Sequence, residues 1–261
     1  MRIAVCIKQV PDTPRVEIDP TTHTLVREGV ESVLNPLDAF AVEAALRIRE
    51  TLGGAVTALT LGPSQAERML RDVLALGVDE GVLITGPEFA GSDTWSTSYA
   101  LACALRSLGG FDLILCGKQA IDGDTGQVGP ELAAQLGLPQ ATYVRRIREI
   151  SSRHAVVERL TDEGHEVLRL PLPAVMTVLR ELNEPRLPNL EDLYRGRFAP
   201  VRKLSGRDIG ADPGEIGLDA SPTRVVRIFA PTSARQARLF EGDSDEGIRE
   251  LAAFLKRGGL L

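Results

Sequence analysis

Residues 111–130 read FDLILCGKQAIDGDTGQVGP, and the architecture follows from this stretch. Phe111–Cys116 is a short, almost wholly apolar run, the composition of a strand buried on both faces. It breaks into a polar, glycine-rich loop, Gly117–Pro130. A helical pattern starts near Gly126, with Val128, Leu132 and Leu136 one turn apart and Gly137 closing it. Strand, loop and helix in this order make the unit of an open parallel sheet, which binds ligands at the carboxyl ends of its strands. Gly123, Gly126 and Gly129 allow close backbone approach, and free amides at the helix start favour an anion such as phosphate. The spacing is GxxGxxG rather than the dinucleotide GxGxxG, and Gln119 after Gly117-Lys118 excludes a P-loop. A glycine-rich connection with a simple helix cap is the competing reading. The loop's place at a strand end favours nucleotide binding over it.

Strand and helix patterns alternate on either side. Upstream, Arg2–Val10 reads as a strand broken by Pro11, and Val16–Asp19 with Thr24–Arg27 as a short hairpin. Leu37, Phe40, Ala41, Ala44, Ala45, Ile48 and Leu52 give one apolar helix stripe ended by Gly53-Gly54. Ala55–Leu61 is an apolar strand. Ser64-Gln65-Ala66-Glu67 then reads as a capping box opening a helix that Gly77 ends. Val82–Thr85 is the next strand, and Asp93 caps a helix running to Leu108. Downstream, Val144–Ile150 and Ala155–Leu160 read as a two-stranded antiparallel addition, with Ala174–Leu179 as the last core strand. The expectation is a doubly wound, mostly parallel α/β sheet of Rossmann-like, nucleotide-binding form.

Residues 181–200 and 204–242 carry no period and read as loop. A final amphipathic helix, Ser244–Arg257, sets Ile248, Leu251, Ala252 and Leu255 on one face, with acids at its start and Lys256-Arg257 at its end. The expected division is an α/β domain over 1–203 and a C-terminal arm and helix over 204–261. Such an arm has no core of its own, so it folds back or lies on another subunit.

A net charge of −6 over 261 residues leaves no basic excess to neutralise phosphates, which argues against a nucleic-acid partner. Cys6, Cys103 and Cys116 are widely spaced without a CxxC pair, and read as buried reduced thiols of a cytoplasmic protein. The charged N-terminal strand is no secretory signal, and no apolar run is long enough to insert in a membrane. His23, His154 and His165 sit in turn contexts, and no metal-ligand or nucleophile–base motif appears. Two further loops, Asn35-Pro36-Leu37-Asp38 and Leu61-Gly62-Pro63-Ser64, should emerge at the same sheet edge as Gly117–Pro130 and line one crevice. Taken alone, each also reads as a helix cap.

Val5–Thr13 (VCIKQVPDT), Asn35–Asp38 (NPLD), Cys116–Pro130, Leu182–Arg186 (LNEPR), Gly217-Leu218 and Ser221-Pro222-Thr223 together resemble the β subunit of electron-transfer flavoproteins, essentially end to end. The resemblance implies an electron-carrier subunit rather than a stand-alone enzyme, paired with an α subunit that carries FAD. It implies donor dehydrogenases and a quinone reductase or ferredoxin-type acceptor. In ordinary members the β crevice holds AMP; in electron-bifurcating members it holds a second FAD that meets NADH. The DGDTGQVGP form, Asp38 and the Gly-Leu…Ser-Pro-Thr tail look more like bifurcating and FixA-type members, so FAD is favoured over AMP. Carried over, the nucleotide site comprises Cys6, Asn35, Pro36, Leu37, Asp38, Leu61, Asp122, Gly123, Asp124, Thr125, Gly126, Gln127, Val128, Gly129, Pro130, Glu131, Leu132 and Ala133. A partner-recognition loop would comprise Leu182, Asn183, Glu184, Pro185, Arg186, Leu187, Leu190 and Leu193, with Leu187 where an aromatic residue often stands. An adenine-nucleotide-hydrolysing enzyme of similar sheet type is the competing class.

Overall fold

The computed structural model describes residues 1–12, 32–226 and 245–259. The chain divides into two units, Met1–Val226 and Arg227–Leu261. In the first, strands β1 (Arg2–Cys6), β2 (Gln9–Pro11) and β3 (Ser32–Leu34) precede helix α1 (Pro36–Leu52). Then come β4 (Ala55–Leu61), α2 (Ala66–Ala75), β5 (Glu80–Ile84), α3 (Thr94–Ser107), β6 (Leu113–Gly117) and α4 (Val128–Leu136). An antiparallel run follows: β7 (Gln140–Ile150), β8 (His154–Thr161) and β9 (Gly164–Pro171). Last are β10 (Ala174–Val178), α5 (Leu190–Phe198), β11 (Val201–Leu204) and the single turn α6 (Gly217–Ala220). In the second unit α7 (Asp245–Arg257) is described; Ile248, Leu251 and Phe254 on it are exposed.

Nine strands form one sheet in the order β11-β5-β4-β1-β6-β10-β7-β8-β9. From β11 to β7 all neighbours are parallel. Strands β8 and β9 are added antiparallel. The chain winds outward from β1 through β4 to β5 and then returns to lay β6 on the other side of β1. The topological switch point therefore lies between β1 and β6, with Cys6 opposite Cys116 at its carboxyl end.

The strands are apolar throughout because both faces are covered. Ile3, Val5 and Ile7 share one core with residues of α1 and α2. Ala4 and Cys6 share the other with α3 and α4. Glycines end the helices where the sequence places them. Gly53 (φ 73°), Gly77 (φ 107°) and Gly137 (φ 66°) all adopt a positive φ that a side chain disfavours.

Several local expectations are corrected. Ser64 does not cap α2 through a capping box. The helix begins one residue later, its N-cap is Gln65, and no side chain caps it. Backbone carbonyls of Pro63, Ser64 and Gln65 take the first amides, while Glu67 turns to Arg71 and Lys203. The antiparallel addition has three strands rather than two. The aperiodic stretch 181–200 contains α5, which packs on α2 through Gly196, where a Cβ would stand 2.6 Å from that of Ala75. Residues 204–226, the first part of the expected arm, belong to the first unit. Strand β11 pairs with β5, and Leu204, Ile209 and Ile216 join the core. The expected hairpin at Val16–Asp19 and Thr24–Arg27 lies outside the described residues.

Candidate functional site

At the switch point β1 and β6 diverge, and a carboxylate joins their ends. Asp38, on the first turn of α1, is 5% exposed. Its Oδ2 accepts the Lys8 amide at 2.7 Å, and the carboxylate also accepts the Gly117 amide. A side chain at 117 would strike Asp38 Oδ1 and stand 2.7 Å from the Leu37 carbonyl carbon, so only glycine lets the loop leave here. Burial pushes the Asp38 carboxyl up to about 7, against the pull of Asn35, the two amides and Lys8. Beside it the Cys6 and Cys116 thiols hydrogen-bond to each other. That contact, followed by burial and the nearby charges of Cys6 and Asp38, raises Cys116 well above the ordinary thiol range.

The loop above this floor is tied to the β1 side. Asn35 is fully buried; its Nδ2 donates to Gln119 O at 2.9 Å and its Oδ1 accepts from Ile121 N at 3.2 Å. Lys8 Nζ pairs with Asp122 Oδ1 at 2.7 Å. Gln119 Nε2 donates to Asp124, whose own backbone is left-handed at φ 53°. The loop then enters α4 through Gln127, which provides no side-chain cap. Gly129, in the first turn, abuts β10: a Cβ there would collide with Thr177 Cγ2. The reading of this loop as a simple cap thus finds no capping side chain. The first-turn amides of a helix lack intrahelical carbonyl partners, which is the chemistry an anion site requires.

The rim is built by α3 and the tail. Asp93 caps α3 through Ser96 N and also accepts from Thr223 N and Oγ1 at 2.9 and 2.8 Å. Burial alone would raise it, but these bonds outweigh burial and hold it below the usual carboxylate range. Ser221 Oγ accepts from Asp93 N and donates to Gly217 O, so the Gly217–Thr223 tail is pinned at the start of α3. Thr94 Oγ1 donates to Glu131 Oε1 at 3.1 Å. Glu131 Oε2 is buried without a hydrogen-bond partner among the described residues. Burial, then the charge of Asp93, raises the Glu131 carboxyl.

The sequence-expected nucleotide residues thus gather at one sheet edge, but in different roles. Pro36, Leu37, Leu61 and Asp122–Gln127 lie at the surface or partly open, with Val128, Pro130 and Glu131 partly buried. Cys6, Leu132 and Ala133 are core residues, and the side chains of Asn35 and Asp38 are engaged by backbone. Sequence reasoning missed Lys8, Thr94, Tyr143 and Thr177. Lys8 carried a signal, a lone cation at an apolar strand's end; the other three come from distant elements that only folding brings to the loop.

The expected recognition loop lies on α1. Asn183 Nδ2 donates to Phe40 O at 2.9 Å, and Arg47 donates to Glu184 O at 3.0 Å. Arg186 is clamped by Glu43 at 2.7 Å and Glu50 at 2.6 Å. Hydrogen bonds to Glu50 and then Glu43 raise the guanidinium further. Past this clamp stand Leu187, 91% exposed, and Leu190, 86% exposed, while Leu193 is half-exposed and Leu182 packs on the core.

A mostly parallel sheet wound both ways from its switch point, with helices on both faces, defines a doubly wound α/β protein. The family model described as "Electron transfer flavoprotein domain" matches residues 22–206, and the chain belongs to that family. Within it the chain is of the β-subunit, FixA type. It is 46% identical over 252 residues to "Electron transfer flavoprotein subunit beta" of Thermoanaerobacterium thermosaccharolyticum, covering 96% of each chain. It is 44% identical to "Caffeyl-CoA reductase-Etf complex subunit CarD" of Acetobacterium woodii, covering 98% of this chain and 96% of the relative. Against "Protein FixA" of Azorhizobium caulinodans the identity is 47%, over 94% of this chain and 90% of the relative. Among the described residues no helix is long and apolar enough to cross a membrane.

Proposed function

We propose that this electron-transfer β subunit holds an adenine nucleotide in the switch-point crevice, its phosphate on the amides of Gly126–Gly129, within a heterodimer whose α subunit carries FAD. The observation that carries this reading is the side-chain-uncapped start of α4, lying under a loop in which Gly117 and Gly129 have no room for a Cβ. The orphaned Glu131 Oε2 at the rim gives a ligand a further polar contact.

Of the two nucleotides, FAD is preferred to AMP. The DGDTGQVGP form with Asp38 supports this, as does the match along nearly the whole chain to a subunit of a "Caffeyl-CoA reductase-Etf complex" and to FixA proteins. A flavin there would supply two-electron chemistry with NADH, and this chain would bind and orient it. The heterodimer passes electrons between dehydrogenases or NADH and a quinone reductase or ferredoxin-type acceptor in the cytoplasm. Leu187, Leu190 and Leu193 present the docking surface for a dehydrogenase.

The test is nucleotide extraction from the heterodimer purified after co-expression with its α chain. Two FAD per heterodimer, one bleached by NADH, is the expected result. One FAD with one AMP would reject the flavin assignment and keep the nucleotide site. Neither nucleotide in the β chain would reject the site itself. ATP hydrolysis by the isolated chain would favour the enzyme reading instead, and none is expected.

A further inference from the structure

The phosphate loop has a second cation besides Lys8, and the structure keeps it away from carboxylates. Lys8 is neutralised by Asp122. Lys118 is the first residue beyond β6, its amide bonded to Val178 O at 3.0 Å. Its ammonium lies 5.4 Å from the centroid of the Tyr143 ring, and it has no ion pair with another described residue. A cation over an aromatic face is held in place while its charge stays uncancelled, whereas a carboxylate would consume it.

Tyr143 is placed for this at a local cost. It sits inside β7 with φ 56°, a left-handed conformation that is a true outlier for a bulky residue. The register between β7 and β10 shifts at this point, and Tyr143 N donates to Thr177 Oγ1 at 3.0 Å instead of to a strand carbonyl. The outcome is a ring whose hydroxyl stands 3.7 Å from where a side chain on Gly126 would begin. Thr177 also bounds Gly129 from below, so one threonine fixes both the ring and the start of α4. Glycine amides alone offer an anion only partial charges, and a dianionic phosphate on them favours a full positive charge nearby.

We propose that Lys118 supplies the counter-charge to the phosphate of the bound nucleotide, and that Tyr143 is the positioning residue that holds it there. This rests on the nucleotide reading above and applies equally to the phosphate of AMP or the diphosphate of FAD.

The test uses the αβ heterodimer stripped of nucleotide, titrated with AMP and with adenosine. Lys118→Met is expected to weaken AMP about tenfold, the loss of one charge-assisted contact, and to leave adenosine unchanged. Its AMP affinity should also fall less steeply with salt than that of the unmodified heterodimer. Tyr143→Gly accepts φ 56° without strain, which offsets the lost ring packing, so the variant should stay folded. Its AMP affinity should nonetheless fall, while adenosine binding holds, and the double variant should be no worse than Lys118→Met alone. Unchanged AMP affinity in Lys118→Met overturns the proposal, as does an equal loss for AMP and adenosine. Should Lys118→Met not fold, Tyr143→Gly decides by the same AMP-to-adenosine ratio. If the unmodified heterodimer binds neither probe, the nucleotide reading fails and the counter-charge assignment falls with it.

Discussion

Replacing Asp38 by asparagine should reverse sign with pH. The carboxyl is sealed at the switch point and titrates at about 7 in the folded chain against an ordinary 3.8. Between these values the folded state holds a proton that the unfolded state has released. Stability is therefore fully present below the lower value and is lost as pH rises through the upper one. At roughly 1.4 kcal/mol per pH unit, the gap amounts to about 4 kcal/mol of stability lost by about pH 9. Asparagine cannot ionise, so it removes that slope. Near pH 5 the acid and the amide are close in shape, but asparagine keeps one acceptor oxygen where the carboxyl group has two for the Lys8 and Gly117 amides. The two proteins should then differ by no more than about 1 kcal/mol, because the roughly 1.7 kcal/mol already lost to ionisation of the unfolded aspartate is offset in the variant by its missing acceptor. Near pH 9 the variant should be the more stable by about 2–4 kcal/mol. Urea unfolding of both proteins in parallel at each pH measures the difference, in which the other titrating groups largely cancel. A difference that stays flat from about pH 5 to about pH 9, or that favours aspartate at the alkaline end, would refute the account.

Gly129→Ala should cost about 1–3 kcal/mol and lower nucleotide occupancy, because the new methyl group displaces α4 from Thr177; thermal melting and extracted nucleotide measure the two effects. Arg186→Met should destabilise by about 1–3 kcal/mol, since it removes the strongest partner of buried Glu43, and should speed amide exchange across residues 183–187 without altering nucleotide content. Truncation after Val226 should leave a folded nucleotide-binding unit that associates more weakly with the α chain. Truncation after Leu204 should instead destabilise the fold, because Ile209 and Ile216 are core residues; co-purification and melting distinguish the two.

What was legible in the sequence was what local chemistry dictates. Ala55–Leu61 reads as a strand because both faces of that run are apolar, and the sheet covers both. Gly53, Gly77 and Gly137 stop their helices through conformations the residue type itself announces. The glycine loop declared its place at a strand end. Strand β9 was illegible because only Leu170 on it is buried, so it carries no apolar period to read. Helix α5 was hidden for a related reason: it docks through a glycine and shows its leucines to solvent, the reverse of an amphipathic surface helix. The Ser64 capping box was legible and misleading, since backbone carbonyls satisfied the same amides first. In the site, Asn35 was named by resemblance alone. That both ends of its amide grip the loop, and that Tyr143 abandons strand geometry to reach Lys118, are tertiary facts without a local signature.

The late arrival of β11 bears on how the chain is made. Strand β5 is an apolar run, Glu80–Ile84, whose outer edge is closed only by Val201–Leu204. On a ribosome that edge is complete and bare while the rest of the sheet, from β6 to β10, has yet to emerge. An open row of strand amides and carbonyls on a nascent chain is a template for pairing with another copy. Crowded polysomes should therefore favour aggregates seeded at β5, and a holding chaperone that shields short apolar strands should raise the yield of folded chain more than slower translation does.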